Sequence, residues 1–345
     1  MSSGRILVVA PNWIGDAIIS QPLLALLRRR DPALPIDVLA PAWVAPVYAR
    51  MPEVGAVIDS PFRHGELAWR RRRALAKSIA ARGYAQAIVL PNSLKSAAIP
   101  WLARIPLRTG YIGEQRYGLL NDRRRLDTAI HPRLVDRFAA LAFSARAARP
   151  GTPAVADLPM LPDPALRIDP VAQAATLAKF GLASATPVVA LCPGAEYGPA
   201  KRWPARYYAD IAKSALADAR QVWIFGSPKD AQIGREIAAA APGAVDLCGR
   251  TDLTEAIDLL ALAEVVLTND SGLMHVASAA GCRVVALFGS STPTFTPPLS
   301  SRARTISLQL ECSPCFERTC PLGHMNCLNQ LKPAQVQDTI AGLPS

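Results

Sequence analysis

The octapeptide Thr268-Asn269-Asp270-Ser271-Gly272-Leu273-Met274-His275 gathers a carboxylate, a hydroxyl, a glycine and an imidazole into one short stretch. The apolar run Val265-Val266-Leu267 leads into it, and a small-residue helical pattern to Ala280 leads out. It therefore reads as strand, polar turn and helix start. Asp270 or Ser271 can cap such a helix, and Gly272 lets a ligand approach the backbone closely. Free amides at a helix N-terminus form an anion site. An ordinary capped turn fits the same spacing. His275 likewise fits two roles, a hydrogen bond to a diphosphate or a satisfied core histidine.

Three further loops carry chemistry. Pro193 to Pro204 (Pro-Gly-Ala-Glu-Tyr-Gly-Pro-Ala-Lys-Arg-Trp-Pro) is stiffened by prolines and brings Lys201 to a helix start, a position suited to phosphate. A solvated loop is the alternative. Phe225-Gly226-Ser227-Pro228-Lys229-Asp230 ends the next strand and can flank a base or ribose. Gly15-Asp16 ends the first strand. There Asp16 is either a general base for a substrate hydroxyl or an acid favoured by the helix dipole.

These loops need strands to hold them. Strands are expected at Ile6–Ala10, Ile36–Ala40, Val54–Ile58, Ala85–Leu90 and Leu107–Tyr111, with helices at 17–30, 66–82 and 134–147. Six prolines between Pro150 and Pro170 read as a semi-rigid linker. The alternation then restarts, with strands at Val188–Cys192, Val222–Phe225, Val245–Cys248, Val265–Thr268 and Val284–Phe288. Helices are expected at 205–217, 231–240, 253–263, 273–280 and 333–341. The pattern is α/β: two doubly wound Rossmann-like domains, residues 1–160 and 161–345, with a cleft between them. Ligands in such sheets bind beyond the carboxyl ends of the strands.

Charge divides the chain. Residues 1–150 carry 23 Lys+Arg against 10 Asp+Glu, a net +13, and residues 151–345 carry 15 against 17, a net −2. A general arginine bias would not confine the excess to one half, so a large anionic partner is expected there. Lys95, after Pro91-Asn92-Ser93, is a candidate for acceptor phosphate or carboxylate. Nucleic acid is not expected, because no aromatic–basic stacking platform appears. There is no G-x-G-x-x-G, no P-loop, no nucleophile elbow and no Asp-x-Asp for a metal-held sugar diphosphate. No apolar run reaches the ~18 residues of a membrane span. The first apolar segment is too short for a signal-peptide core, so a cytoplasmic location is expected.

Of the seven cysteines, Cys192, Cys248 and Cys282 sit in apolar contexts. Cys312, Cys315, Cys320 and Cys327 form a dense cluster around His324. Their spacing suits a structural metal or a loop of packed, reduced thiols.

In order along the chain, Pro11-Asn12-Trp13-Ile14-Gly15-Asp16, Pro193–Pro204, Thr268–His275 and Phe295-Thr296-Pro297-Pro298-Leu299-Ser300 resemble the motifs of the ADP-heptose:lipopolysaccharide heptosyltransferases. These are family 9 glycosyltransferases of the GT-B fold, and the last segment is similar to one in their type II members. The resemblance implies a C-terminal domain that binds ADP-L-glycero-β-D-manno-heptose through Lys201, Asp270, Ser271, Gly272 and His275, with Glu196 and Gly226 beside them. It implies an N-terminal domain that binds a heptosyl-Kdo2-lipid A acceptor through Lys95, Asn92 and Arg116, with Asp16 as base. Inversion in one displacement, no metal or other cofactor for catalysis, and peripheral contact with the cytoplasmic face of the inner membrane are implied as well. A type I or III acceptor, or a non-catalytic nucleotide-sugar or polyanion-binding module, is the alternative.

Overall fold

Short runs of Val, Ile, Leu and Ala bounded by Pro, Gly and Asn become parallel strands, and four of them, Ile6–Val9, Ile36–Ala40, Val188–Cys192 and Val265–Asn269, are buried along their whole length. The computed structural model describes residues 4–62, 66, 68–143 and 158–344. The chain divides into two compact units, residues 1–163 and 164–345.

In the first unit, β1 (Ile6–Val9), β2 (Ile36–Ala40), β3 (Ala56–Asp59), β4 (Gln86–Val89), β5 (Leu107–Tyr111) and β6 (Asp122–Arg124) form a parallel sheet. Its order is β3-β2-β1-β4-β5-β6. Leu7, Val9, Leu39, Ile79, Ala87 and Val89 lie in its core. In the second unit, β7 (Val188–Cys192), β8 (Gln221–Ile224), β9 (Val245–Asp246), β10 (Val265–Asn269), β11 (Arg283–Leu287) and β12 (Ala303–Ile306) are ordered β12-β11-β10-β7-β8-β9. Counted within its own unit, each sheet has the 3-2-1-4-5-6 order of a doubly wound Rossmann fold. The winding reverses between β1 and β4, and again between β7 and β10. At such reversals crevices open beyond the strands' carboxyl ends.

Several elements depart from expectation. One helix was expected over residues 17–30, but α1 (Ile14–Ile19) and α2 (Gln21–Arg30) are separate. Pro22 has no amide to continue α1, and the Ser20 hydroxyl donates to Ala17 O at 2.7 Å. The edge strands β6 and β12 (Asp-Arg-Arg and Ala-Arg-Thr-Ile) lack an apolar run, because an edge needs less of one. Short α3 (Ala45–Ala49), α5 (Leu94–Leu102) and α7 (Pro170–Phe180) were not expected either. Ser93 caps α5, and Asp169 caps α7. The expected 66–82 helix is α4 (Trp69–Ala80), and the expected 134–147 helix is α6 (Leu134–Ala140); residues 144–147 lie outside the described residues. The second unit continues with α8 (Ala205–Ala217), α9 (Ala231–Ala240), α10 (Leu253–Leu260), α11 (Gly272–Ala279), α12 (Asn326–Asn329) and α13 (Pro333–Ala341). Among the described residues no helix is long and apolar enough to cross a membrane.

Candidate active site

At the β7/β10 reversal the two loops singled out in the sequence meet. β7 and β10 pair in parallel with Cys192 beside Thr268, so Pro193 and Asn269 leave the sheet as neighbours. The Asn269 side chain ties them together. Its Nδ2 donates to Pro193 O (2.6 Å), and its Oδ1 accepts from Trp203 N (3.1 Å) and the Tyr208 hydroxyl (3.0 Å). This fully buried amide spans both ends of the Pro193–Trp203 loop. Nothing in its residue type or spacing marked it out.

The loop delivers Lys201 to Asp270. Lys201 Nζ lies 2.5 Å from Asp270 Oδ2, which also accepts from the Ser291 hydroxyl at 2.5 Å. Asp270 is 6 % exposed, so its charge needs this partner. The pair fixes the direction of the Lys201 ammonium group. Lys201 also sits 4.9 Å from the centre of the Tyr197 ring. Ser271 is the N-cap of α11, but its side chain makes no capping hydrogen bond. The first-turn amides of Gly272, Leu273 and Met274 are therefore not spent on it.

His275 follows one turn later and is 4 % exposed. Burial pushes its pKa down to about 4; Lys201 lowers it further and Asp270 opposes, so the ring is neutral at pH 7. Its Nδ1 is buried without a hydrogen-bond partner.

Glu196 and Gly226 sit further out. Glu196 pairs with Lys229 at the surface. Gly226 and Gly194 make room for Asp230: a Cβ on Gly226 would lie 2.8 Å from Asp230 Cβ, and one on Gly194 2.5 Å from its carboxylate. Asp230 accepts from Ser227 N (2.9 Å), the Ser227 hydroxyl (2.7 Å) and Arg202 (3.2 Å). The Ser227-x-x-Asp230 spacing is a legible capping signal, so this brace was readable but overlooked. Gly226 serves packing in this geometry.

The Cys-rich segment is built into the same loop. Arg318 O accepts from Ala200 N (3.0 Å), Phe316 O accepts from the Tyr197 hydroxyl (2.7 Å), and the Arg318 guanidinium stands 5.0 Å from the Tyr197 ring centre. Cys312, Cys315, Cys320, Cys327 and His324 line one small cavity with Ala200 and Ser290. Backbone amides of residues 322–325, Met325 first, hold the Cys320 thiol below its ordinary pKa. Even so, among the described residues no three His, Cys, Asp or Glu side chains are gathered closely enough to hold a metal ion. The metal expected from their spacing therefore has no formed ligand set. Cys192, Cys248 and Cys282 are core thiols, and burial pushes their pKa values up.

At the β1/β4 reversal of the first unit, Asp16 occupies the first turn of α1. Its charge adds to the burial that raises the pKa of Tyr48 on α3, whose hydroxyl is 2.8 Å from Ser20 Oγ. Beyond β4, Ser93 caps α5 and Lys95 follows in its first turn. Arg116 is 1 % exposed. Its guanidinium donates to Pro91 O (2.5 Å), Asn92 Oδ1 (2.8 Å) and Tyr111 O (2.5 and 3.1 Å), and burial lowers its pKa to about 10. Arg116 and Asn92 shape this loop. Arg72, within the run of four arginines, is buried and stacks 4.0 Å from the Phe62 ring centre.

The model of glycosyltransferase family 9 (heptosyltransferase) matches residues 72–326. The lipopolysaccharide heptosyltransferase 2 of Salmonella typhimurium is 47 % identical over 310 residues, covering 88 % of each chain. The structure of E. coli ADP-heptose lps heptosyltransferase II superposes with a TM-score of 0.87 at 41 % identity, covering 98 % of both chains. E. coli heptosyltransferase WaaC with ADP has a TM-score of 0.73 at 17 % identity over 98 % and 99 % of the two chains, a likeness of fold. With two parallel six-stranded sheets of the GT-B kind and a family match across most of its length, the chain belongs to glycosyltransferase family 9, the heptosyltransferases.

Proposed function

We propose that the enzyme transfers L-glycero-D-manno-heptose from ADP-heptose to the heptosyl-Kdo2-lipid A inner core of lipopolysaccharide. The observation that carries this reading is Lys201, aimed by buried Asp270 beside the uncapped start of α11, in a chain 47 % identical to a heptosyltransferase 2. A lysine and free helix amides suit the diphosphate and stabilise it as it leaves. The neutral imidazole of His275 offers a donor or an acceptor, but no charge.

The acceptor hydroxyl oxygen attacks the anomeric carbon, and its proton passes to Asp16. The bond from that carbon to the phosphate oxygen breaks, and ADP leaves with the electron pair. A β-linked donor gives an α-linked product, so a single base suffices. Lys95 and the other first-unit cations meet the phosphorylated core. The acceptor's lipid brings the enzyme to the cytoplasmic face of the inner membrane. The Cys-rich segment braces the donor loop; a thiophilic ion drawing its four thiols together is the finer reading, checked by metal analysis of the purified protein.

The test is ADP release with purified acceptors bearing zero, one or two heptoses. Turnover should be fastest with one. Equal or faster turnover with none would move the enzyme to the first transfer of the series, and no release with any would remove the reading.

A further inference from the structure

Four of the six tryptophans lie in the first unit, each 43–48 % exposed, whereas Trp203 and Trp223 in the second are fully buried. Two of the exposed four stand at the reversal that carries Asp16. β1 and β2 pair in parallel with Val9 beside Leu39, so Trp13 and Trp43 leave adjacent strands on adjacent loops. Trp13 is the N-cap residue of α1, and its carbonyl accepts from Ala17 N at 3.0 Å. Trp43 lies in a turn closed by Val44 N and Ala45 N on Pro41 O, both at 2.9 Å. Its indole N–H donates to Asn12 O at 2.9 Å, which ties the ring to the loop carrying Trp13. That bond uses the only polar atom of the ring, so the half left in solvent is apolar. Both loops border Asp16: Trp13 is three residues before it, and Tyr48, which feels its charge, is five residues after Trp43.

We infer that Trp13 and Trp43 form a platform for a pyranose ring of the acceptor, holding the sugar whose hydroxyl faces Asp16. This rests on the transfer reading above. A pyranose has an apolar C–H face and a hydroxyl edge. An aromatic surface on the two loops that flank the helix start carrying a carboxylate matches both, with the C–H face on the indoles and the hydroxyl toward the base. The cations of this unit cannot supply that recognition, because they address phosphates and carboxylates. The tryptophans would therefore distinguish an acceptor that presents a sugar ring at this place from one that presents only charge. Trp101 is 46 % exposed but lies in the last turn of α5, toward the opposite edge of the sheet, so it serves as an internal control.

The experiment measures steady-state kinetics with a delipidated, heptose-bearing core oligosaccharide. Trp43→Ala should raise the acceptor KM about five- to tenfold and leave the donor KM unchanged. Trp43→Phe should recover most of the loss, and Trp101→Ala should behave as wild type. Without donor, the same oligosaccharide should change the tryptophan fluorescence of the wild type, and the change should be lost when Trp13 and Trp43 are both replaced by Phe. An unchanged acceptor KM in Trp43→Ala overturns the proposal, as does an equal rise in donor KM or an equal effect of Trp101→Ala. So does a Trp43→Ala defect confined to binding plain anionic vesicles, which would assign the rings to a lipid surface. Wild-type ADP release with an unaffected Trp43 variant sinks the platform alone; no wild-type release sinks the transfer reading.

Discussion

Replacing Lys201 by Ala separates two jobs of one ammonium group. In the folded chain it neutralises Asp270, which is 6 % exposed and keeps only the Ser291 hydroxyl once the lysine is gone. Truncating one partner of a buried ion pair costs about 3–5 kcal/mol. Lys201 is itself 17 % exposed, so water recovers part of that, and about 3 kcal/mol is the better expectation. In a domain of this size that lowers Tm by roughly 6–12 °C. Toward the donor, the same change removes a charge-assisted hydrogen bond of about 2 kcal/mol, about 30-fold in the Kd for ADP. The two losses come apart in Lys201→Ala/Asp270→Asn. Neutralising the orphaned carboxylate should restore most of the Tm, and of the ADP affinity only the part lost to its repulsion of the phosphates. Thermal unfolding and calorimetric titration with ADP read the two quantities on the same samples. If the double variant stays as unstable as Lys201→Ala, the pair does not carry the stability assigned to it. If it regains the full wild-type ADP affinity, Lys201 is no phosphate ligand.

Asp16→Asn should bind ADP-heptose as wild type does and lose turnover by about 100- to 10,000-fold, the usual span for a general base; wild-type kcat would remove Asp16 from that role. His275 should make the protein acid-sensitive. Its folded pKa of about 4 lies below the ordinary histidine value of about 6.5, so the unfolded chain takes up the proton first. Stability is fully present above pH 6.5 and is lost as pH falls toward 4, by about 3 kcal/mol at full titration. In His275→Asn the Tm difference between pH 7 and pH 4.5 should shrink, and an unchanged slope would show that other groups set it. Arg116→Met strands the carbonyls of Pro91 and Tyr111 and should cost about 3 kcal/mol or more; an unaltered unfolding midpoint would contradict the bracing role.

The alternation of strands and helices was legible because most strands of the sheet interiors are runs of apolar residues ended by a loop-former. The edge strands β6 and β12 were not, because an edge need not be apolar. At the site, Lys201 and Asp270 could be singled out from the ends of their strands. Their pairing could not, because it depends on β7 lying beside β10, and strand order is not written in local pattern. Arg116 shows the opposite failure. Its type suggested an anion ligand, but whether a guanidinium meets solvent or the carbonyls of neighbouring loops is decided by packing alone. Asn269 was hidden in plain view, since an amide that bridges two loops has no signature of its own.

The hydrogen bond from Tyr197 to Phe316 spans 119 residues, and that from Trp203 to Leu331 spans 128. The loop bearing Lys201 thus receives part of its scaffold from chain made more than a hundred residues later. While synthesis proceeds, the first unit already has all six of its strands and can fold, but the loop bearing Lys201 lacks its supports until residues beyond 331 emerge. Nascent chains halted before Phe316 should therefore carry a folded first unit and fail to retain ADP. Such long-range closure slows folding, and it delays completion of this loop until residues 316–331 are in place.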